Sequence, residues 1–248
     1  MKRILIILGV VMMAMTVPVH SAKQDILRFS GYDWIIKESG DRTIGPGPNY
    51  WSRDNAWVDK NGKLHLIITK RNGIWYCPQV VNTKALGYGT YRFYVEGRID
   101  QIDPNAVIGL YTYDSKSIDA KANNYREIDI EFSDWGNPQP ARAQYTIQPS
   151  AIKGNSYLKP FSLKGGNTTH SFTWEPKLIT FSSIHGHYKT PPSNKYVISS
   201  WTYKGANVPN PSQERASINY WLFRGNAPQN KKETEIVIKN FEFIPYKK

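Results

Sequence analysis

Residues 125–136 read Tyr-Arg-Glu-Ile-Asp-Ile-Glu-Phe-Ser-Asp-Trp-Gly, and their alternation indicates the fold class. Three carboxylates, Glu127, Asp129 and Glu131, alternate with three large apolar side chains. A period of two predicts a β-strand with the acids on one face and the apolar residues on the other. The apolar face can pack onto a core. The acidic face has no role in folding, so it points to chemistry or to binding of a cation.

The spacing of the acids on such a strand matches the needs of glycoside hydrolysis. Same-face neighbours lie about 6.6 Å apart, close enough for like charges to push their pKa values apart. Glu127 and Glu131 can lean together until their carboxyl groups are about 5–6 Å apart, near the separation in retaining glycosidases. Upright side chains would suit the wider gap of inverting enzymes. The strand therefore favours a retaining pair and leaves an inverting pair open.

Short strand-like segments separated by proline and glycine continue along the whole chain. They are residues 64–69, 88–95, 107–113, 127–132, 143–148, 170–174, 178–183, 196–203, 217–223 and 235–245. Asn61 and Gly62, just before the first segment, predict a hairpin turn. No segment has the period and caps of a long helix. The pattern predicts an all-β fold, a two-sheet antiparallel β-sandwich or jelly roll.

The acidic motif Glu-Ile-Asp-Ile-Glu of residues 127–131 resembles the Glu-x-Asp-x-Glu signature of glycoside hydrolase family 16. Residues 87–93, 170–176 and 219–221 resemble further parts of that family in the same order. The resemblance covers roughly residues 27–246 and implies a concanavalin A-like sandwich. It also implies roles for the acids: Glu127 as nucleophile, Asp129 as assisting carboxylate and Glu131 as acid/base.

One segment departs from the family pattern. Members that cleave β-glucans commonly carry Trp-Pro-Ala-x-Trp before the acidic strand, whereas residues 103–113 read Asp-Pro-Asn-Ala-Val-Ile-Gly-Leu-Tyr-Thr-Tyr. Both tryptophans are missing, and Tyr111 and Tyr113 are the expected replacements as sugar contacts. The departure bears on which sugar is bound more than on the type of reaction.

Further substrate contacts are expected around the acidic strand. Trp135 follows it directly and either lines the cleft or packs in the core. Gln144 and Tyr145 lie on the expected neighbouring strand. His170 is either a hydrogen-bond partner near the acids, as the resemblance implies, or a structural histidine that ties a strand edge. Asn219 belongs to a late strand that the resemblance brings to the site.

The N-terminus has the features of a secretion signal over residues 1–22. Lys2 and Arg3 precede an apolar run over residues 4–15, and small residues follow where cleavage would occur. The run is shorter than the roughly 20 residues of a membrane-spanning helix, so no stable membrane anchor is expected. The sequence predicts a secreted or periplasmic protein with one domain over residues 23–248.

The chain is basic, with a formal net charge of +12. No nucleic-acid-binding motif or dense basic helix is present, so a nucleic-acid partner is not expected. The remaining interpretations are a solvated basic surface or an acidic polysaccharide as partner. The single cysteine, Cys77, excludes an internal disulfide and is expected to be a buried small hydrophobe.

The predicted function is a secreted, retaining endo-acting glycoside hydrolase that cleaves a β-linked polysaccharide of the β-1,3/1,4-glucan or galactan type. Transglycosylation through the same intermediate stays open, and so does a lectin-like binding protein without turnover, because fold does not decide function. No cofactor is expected, although a structural calcium ion is compatible with the sequence, and the acidic strand itself could bind one. The protein is expected to be a monomer.

Overall fold

The computed structural model describes residues 26–116, 124–137 and 142–247; the predicted secretion signal, residues 1–22, lies outside them. The described residues form seventeen strands: β1 (Ile26–Phe29), β2 (Tyr32–Ile36), β3 (Tyr50–Trp51), β4 (Ala56–Val58), β5 (Leu64–Arg71), β6 (Ile74–Cys77), β7 (Gln79–Ala85), β8 (Gly89–Glu96), β9 (Ala106–Tyr113), β10 (Ile128–Ser133), β11 (Arg142–Ile147), β12 (Ser156–Pro160), β13 (Asn167–Glu175), β14 (Leu178–His185), β15 (Val197–Tyr203), β16 (Arg215–Leu222) and β17 (Thr234–Pro245). Helical structure within them is limited to short 3-10 turns.

The strands form two sheets, which confirms the predicted β-sandwich. The first sheet has the order β1-β2-β7-β16-β9-β10-β11-β12, and the second has the order β15-β14-β13-β8-β17-β5-β6-β3, with β4 paired to β5. Neighbouring strands are antiparallel except for β3 and β6, which are parallel, so the second sheet is mixed rather than purely antiparallel. Because β16 lies between β7 and β9, a late segment of the chain occupies the middle of the first sheet.

The core lies between the two sheets and takes the apolar face of each strand. Ile128, Ile130 and Phe132 are fully buried there, as the alternation of residues 125–136 predicts. Each such side chain removed from water stabilises the fold by about 1.5–3 kcal/mol. The opposite face of β10 is thereby fixed, because successive side chains of a strand point to opposite sides of the sheet.

The predicted turn at Asn61 and Gly62 is confirmed. It joins β4 to β5, with Val58 paired to Leu64. Asp59 caps the turn, because its Oδ1 atom accepts hydrogen bonds from the backbone N–H groups of Asn61 at 2.8 Å and Lys63 at 2.9 Å.

Across the described residues, no helix is sufficiently long and apolar to pass through a bilayer.

Candidate active site

The acidic face of β10 continues across the first sheet as a row of polar side chains. Glu131 is paired with Gln144 on β11 and with Gly109 on β9. Gly109 is paired with Asn219 on β16, which is paired with Gln79 on β7. Paired residues in a sheet point their side chains to the same face. The row therefore crosses five strands on the side of the sheet away from the core.

This face of the sheet forms a groove with a volume of about 430 Å³. All three acids of the motif line it, together with Lys37, Gly45, Pro46, Gln79, Gly109, Tyr111, Tyr113, Asn219 and Trp221. Cavities of a few hundred cubic ångströms with aromatic walls and a few convergent polar groups are typical of small-molecule and sugar sites. The groove extends across the strands, because its lining, apart from Gly45 and Pro46, lies on or directly next to neighbouring strands of one sheet.

The three acids share a site that disfavours their ionised forms. Burial raises the pKa of Glu127 to about 7, and burial together with the nearby Glu127 raises the pKa of Glu131 to about 8. Asp129 is only 4% exposed, and burial followed by repulsion from both glutamates raises its pKa well above the usual range. Carboxyl groups with raised pKa values can act as proton donors near neutral pH.

Hydrogen bonds hold the centre of the groove in place. Gln148 Nε2 donates to Asp129 Oδ2 at 3.1 Å, which favours the ionised form of Asp129 against the effect of burial. Asn219 Nδ2 donates to the Tyr111 hydroxyl at 3.3 Å. Burial, followed by the charges of Glu127 and Asp129, raises the pKa of Tyr111, so this residue remains a protonated phenol beside the acids.

The backbone before Glu127 has an uncommon left-handed conformation. Asn124, Tyr125 and Arg126 have φ angles of 48°, 57° and 53°, a region that residues other than glycine rarely adopt. The turn is anchored by a buried ion pair of 2.9 Å between Arg126 Nη1 and Asp114 Oδ2. It also brings the ring of Tyr125 onto that of Tyr113, with centroids 5.2 Å apart and planes inclined by 14°. The end of the groove at Glu127 therefore carries a stacked tyrosine pair.

The other end of the acidic strand has a tryptophan cluster. Trp221 lines the groove and is only 8% exposed. Trp135 is half-buried and packs edge-on against Trp221, with centroids 6.3 Å apart, and against Phe223 at 5.3 Å. Of the two interpretations of Trp135, packing fits the structure better, because Trp135 supports Trp221 and does not line the groove itself.

Among the other predicted contacts, Tyr111, Tyr113 and Asn219 line the groove, whereas Gln144 lies beside it. Gln144 faces the same side as its partner Glu131, and its Nε2 atom donates to Thr146 Oγ1 at 3.1 Å. The expectation for Tyr145 was wrong. Because this residue follows Gln144 on the strand, it points to the opposite side, is fully buried in the core and stacks on Phe181.

The expectation that His170 contacts substrate was also wrong. His170 lies on β13 in the second sheet and is fully buried between the sheets. Its Nδ1 atom lies 2.8 Å from Ser183 Oγ, and its Nε2 atom lies 2.8 Å from Thr168 Oγ1. Its ring packs behind the acidic strand against Phe132, with centroids 4.5 Å apart. The structural interpretation of this histidine is therefore the correct one.

Sequence reasoning missed several groove residues. Trp221 was within reach of the pattern, because it follows Asn219 by two positions and so faces the same side of the strand. No sequence pattern around Lys37 or Gln79 marks these residues as part of the groove. They reach the groove only because β7 lies beside β16 in the sheet and β2 lies beside β7. Within residues 26–116, 124–137 and 142–247, no group of three or more His, Cys, Asp or Glu side chains is arranged to hold a metal ion.

Comparisons with known proteins add the fold family. No protein-family model and no curated protein matches the sequence. Solved structures do match: the Bacillus licheniformis β-glucanase has a TM-score of 0.64 at 15% identity, covering 91% of this chain and 100% of that chain. A glycoside hydrolase family 16 endo-glucanase from Bacteroides ovatus has a TM-score of 0.58 at 13% identity, covering 85% of this chain and 94% of that chain.

A third match is described as an immunostimulatory antigen and pseudo β-1,3-glucanase of Mycobacterium tuberculosis. It has a TM-score of 0.58 at 16% identity, covering 86% of this chain and 91% of that chain. Identities this low relate the folds and leave each protein's chemistry to its own side chains. The chain therefore has the jelly-roll fold of the glycoside hydrolase family 16 enzymes.

Proposed function

We propose that the chain is a retaining endo-acting glycoside hydrolase that cleaves a β-linked polysaccharide of the β-1,3/1,4-glucan or galactan type. One observation carries the proposal: Glu127, Asp129 and Glu131 line a single groove beside tyrosines, an asparagine and a tryptophan. Placing a buried aspartate between two half-buried glutamates costs free energy, so folding alone does not account for these acids. A groove across the sheet suits an extended chain of sugars.

The reaction has two steps. Glu127 attacks the anomeric carbon and forms a glycosyl ester as the bond to the leaving oxygen breaks, and Glu131 gives its proton to that oxygen. A water molecule then attacks the same carbon, its proton passes to Glu131, and Glu127 leaves as a carboxylate. The raised pKa of Glu131 supports this role, because the group must be protonated before the first step.

Asp129 lies between the two glutamates and positions them. Repulsion within this group of three acids favours a protonated carboxyl group among them, and the bond from Gln148 fixes the Asp129 side chain. Tyr111 and Asn219 would orient the sugar bound next to the acids, since both line the groove beside them. Trp221 and the stacked Tyr113 offer flat aromatic surfaces on either side of this centre.

The remaining features of the proposal follow from the sequence. The charged and apolar pattern of residues 1–22 supports export to the periplasm or the medium. The protein would act without a cofactor, because the two-carboxylate reaction needs no other group. It would act as a monomer, because one chain supplies the groove and all three acids. Solved structures with the same fold are named as a β-glucanase and an endo-glucanase, which supports β-glucan as the first substrate to test.

The test is release of new reducing ends from a panel of β-glucans and β-galactans. We expect Glu127→Gln and Glu131→Gln each to lose nearly all activity while the thermal transition stays cooperative. Glu175→Gln, at the end of β13 in the second sheet, is the matched control and keeps wild-type activity. Normal turnover by either groove variant would overturn the assignment. The anomeric form of the first product, read by NMR, distinguishes retention from inversion.

A carbohydrate-binding protein without turnover is the second candidate. One protein with this fold is named a pseudo β-1,3-glucanase, so the fold alone does not guarantee cleavage. Saturable binding to a polysaccharide on which wild-type protein makes no new ends would favour this candidate. Longer products with a retained anomeric form would instead indicate transfer to another sugar.

A further inference from the structure

Lys37 extends the polar row of the groove beyond the part that the reaction uses. It directly follows β2, and its backbone N–H donates to Gln79 O at 2.9 Å. Gln79 is paired with Asn219, Asn219 with Gly109, and Gly109 with Glu131. Neighbouring strands lie about 4.8 Å apart, so the backbone of Gln79 lies roughly 14 Å from that of Glu131 across the sheet. The Lys37 ammonium lies beside the Gln79 side chain, at the end of the row away from Glu131.

The contacts of the Lys37 ammonium are all with neutral groups. Its Nζ atom donates to Gln79 Oε1 at 3.1 Å and to Gly45 O, and it lies 4.0 Å from the ring centre of the fully buried Trp51. Among the described residues, no carboxylate forms an ion pair with it. An ammonium has three N–H donors, and two of them donate to oxygen atoms. Among the described residues, the third has no oxygen acceptor, and the Trp51 ring is the other neighbour of the ammonium.

A half-buried cation without a carboxylate partner is unfavourable in a folded protein. Burial lowers the pKa of Lys37 to about 8. The nearby Cys77 does not supply a negative charge, because burial raises its own pKa to about 12. Lys37 is also the only cationic side chain that lines the described groove, whose acids all lie on and beside β10. The two ends of the groove thus differ in the sign of their charge.

We propose that Lys37, with Gln79 beside it, binds an anionic substituent, a sulfate or a carboxylate, on a sugar distant from the bond that is cleaved. This inference rests on the proposed function and names the class of its substrate as an acidic polysaccharide. The anion completes the contacts of the ammonium and stabilises its charged form. Its distance from the acids keeps the negative charge of the substrate away from Glu127 and Glu131, where it would be repelled. The formal net charge is +12 for the whole sequence and +10 without Lys2 and Arg3 of the proposed signal, and this positive charge supports attraction of such a polymer over longer distances.

The experiment compares substrates that share one backbone. A mixed-linkage β-glucan and a β-galactan are each used unmodified, partly sulfated, and oxidised at C6 to the uronate. Wild-type protein, Lys37→Met, Lys37→Arg and the matched control Lys177→Met are assayed for kcat/KM on each form. Lys177 is an exposed lysine in the turn between β13 and β14. Oligosaccharides of each substrate form are also titrated calorimetrically into the same four proteins, each carrying Glu127→Gln in addition. These titrations give affinities independent of turnover.

We expect wild-type protein to prefer an anionic form over its unmodified parent, and Lys37→Met to lower that preference about tenfold, as for loss of a charge-assisted contact. Lys37→Arg should keep part of the preference for the anionic form, and Lys177→Met should keep all of it. Added salt should weaken this preference in the wild-type protein. The sulfated and oxidised forms show which anion fits. If Lys37→Met lowers kcat/KM equally on the neutral and the anionic forms, the proposal is overturned, and Lys37 would instead contact a sugar hydroxyl. If no backbone is cleaved, the proposed function fails while the affinities still test Lys37.

Discussion

Gly109 and Asn219 are paired on adjacent strands, and the Asn219 side chain occupies the space where a Cβ atom on residue 109 would be. An added Cβ would overlap the Asn219 Oδ1 atom, although the φ angle of Gly109 is not in the left-handed region. Glycine is therefore needed here for space and not for backbone freedom. Its absent side chain leaves room for the Asn219 amide on the floor of the groove, next to Glu131.

Gly109→Ala is expected to displace Asn219 and with it the hydrogen bond to Tyr111. Overpacking of this kind costs about 1–3 kcal/mol of the free energy of unfolding, and the groove should lose affinity for sugar as well. Denaturant unfolding and KM measure the two effects. Gly165→Ala is the control, because a Cβ atom there meets open space. Wild-type values in Gly109→Ala would contradict this account of the groove floor.

Trp221 and Trp135 should respond differently to substitution. Trp221→Ala removes an aromatic surface that lines the groove, so we expect KM to rise at least tenfold. Trp135→Phe keeps an aromatic contact with Trp221 and Phe223, so it should lower the melting temperature and change KM less than threefold. Steady-state kinetics with thermal melts tests both. A larger KM effect from Trp135→Phe would place substrate on Trp135 instead.

The acidic groove should make stability depend on pH. The folded-state pKa of Glu131, about 8, is above its ordinary value of 4.5, so between these values the folded protein binds more protons than the unfolded chain. Stability from this group is complete below about pH 4.5 and is lost as pH rises through the folded pKa. Glu131→Gln should therefore gain stability relative to wild type from pH 5 to pH 8. Parallel stability curves over that interval would contradict the raised pKa.

His170 should be important for stability and have little effect on substrate affinity. His170→Ala removes a fully buried ring that packs on Phe132 and leaves the hydroxyls of Thr168 and Ser183 without this partner. We expect a loss of about 2–4 kcal/mol in the free energy of unfolding and an unchanged KM. Urea unfolding and initial rates below the melting temperature measure the two quantities. A large rise in KM in well-folded protein would return His170 to the site.

The acidic strand was predictable because acidic and apolar residues alternate along it, and the sandwich was predictable from the many short strand-like segments. The strand was expected over 127–132 and is found over Ile128–Ser133, since its register follows from which side chains pack in the core. The acids come from one continuous segment, so their common face could be inferred before their surroundings were known. The position of Trp221 could have been inferred in the same way, because it follows Asn219 by two positions on one strand.

The strands and contacts that were missed lacked this local signal. β2 and β7 were not predicted, because their sequences mix polar and apolar residues without a clear alternation. Lys37 and Gln79 reach the groove through strand order, which is a long-range property that spacing along the chain does not encode. His170 was misplaced for a related reason. Its segment resembles the family pattern, but its strand belongs to the other sheet.

The insertion of β16 between β7 and β9 has a consequence for biosynthesis. A nascent polypeptide that already contains Glu127, Asp129 and Glu131 still lacks Asn219 and Trp221, so its half-built sheet has a gap in the middle. Pairings between such distant segments form late, because closing large loops is slow. Premature termination or proteolytic clipping upstream of Arg215 would therefore leave an inert fragment even though every acidic residue of the motif is present.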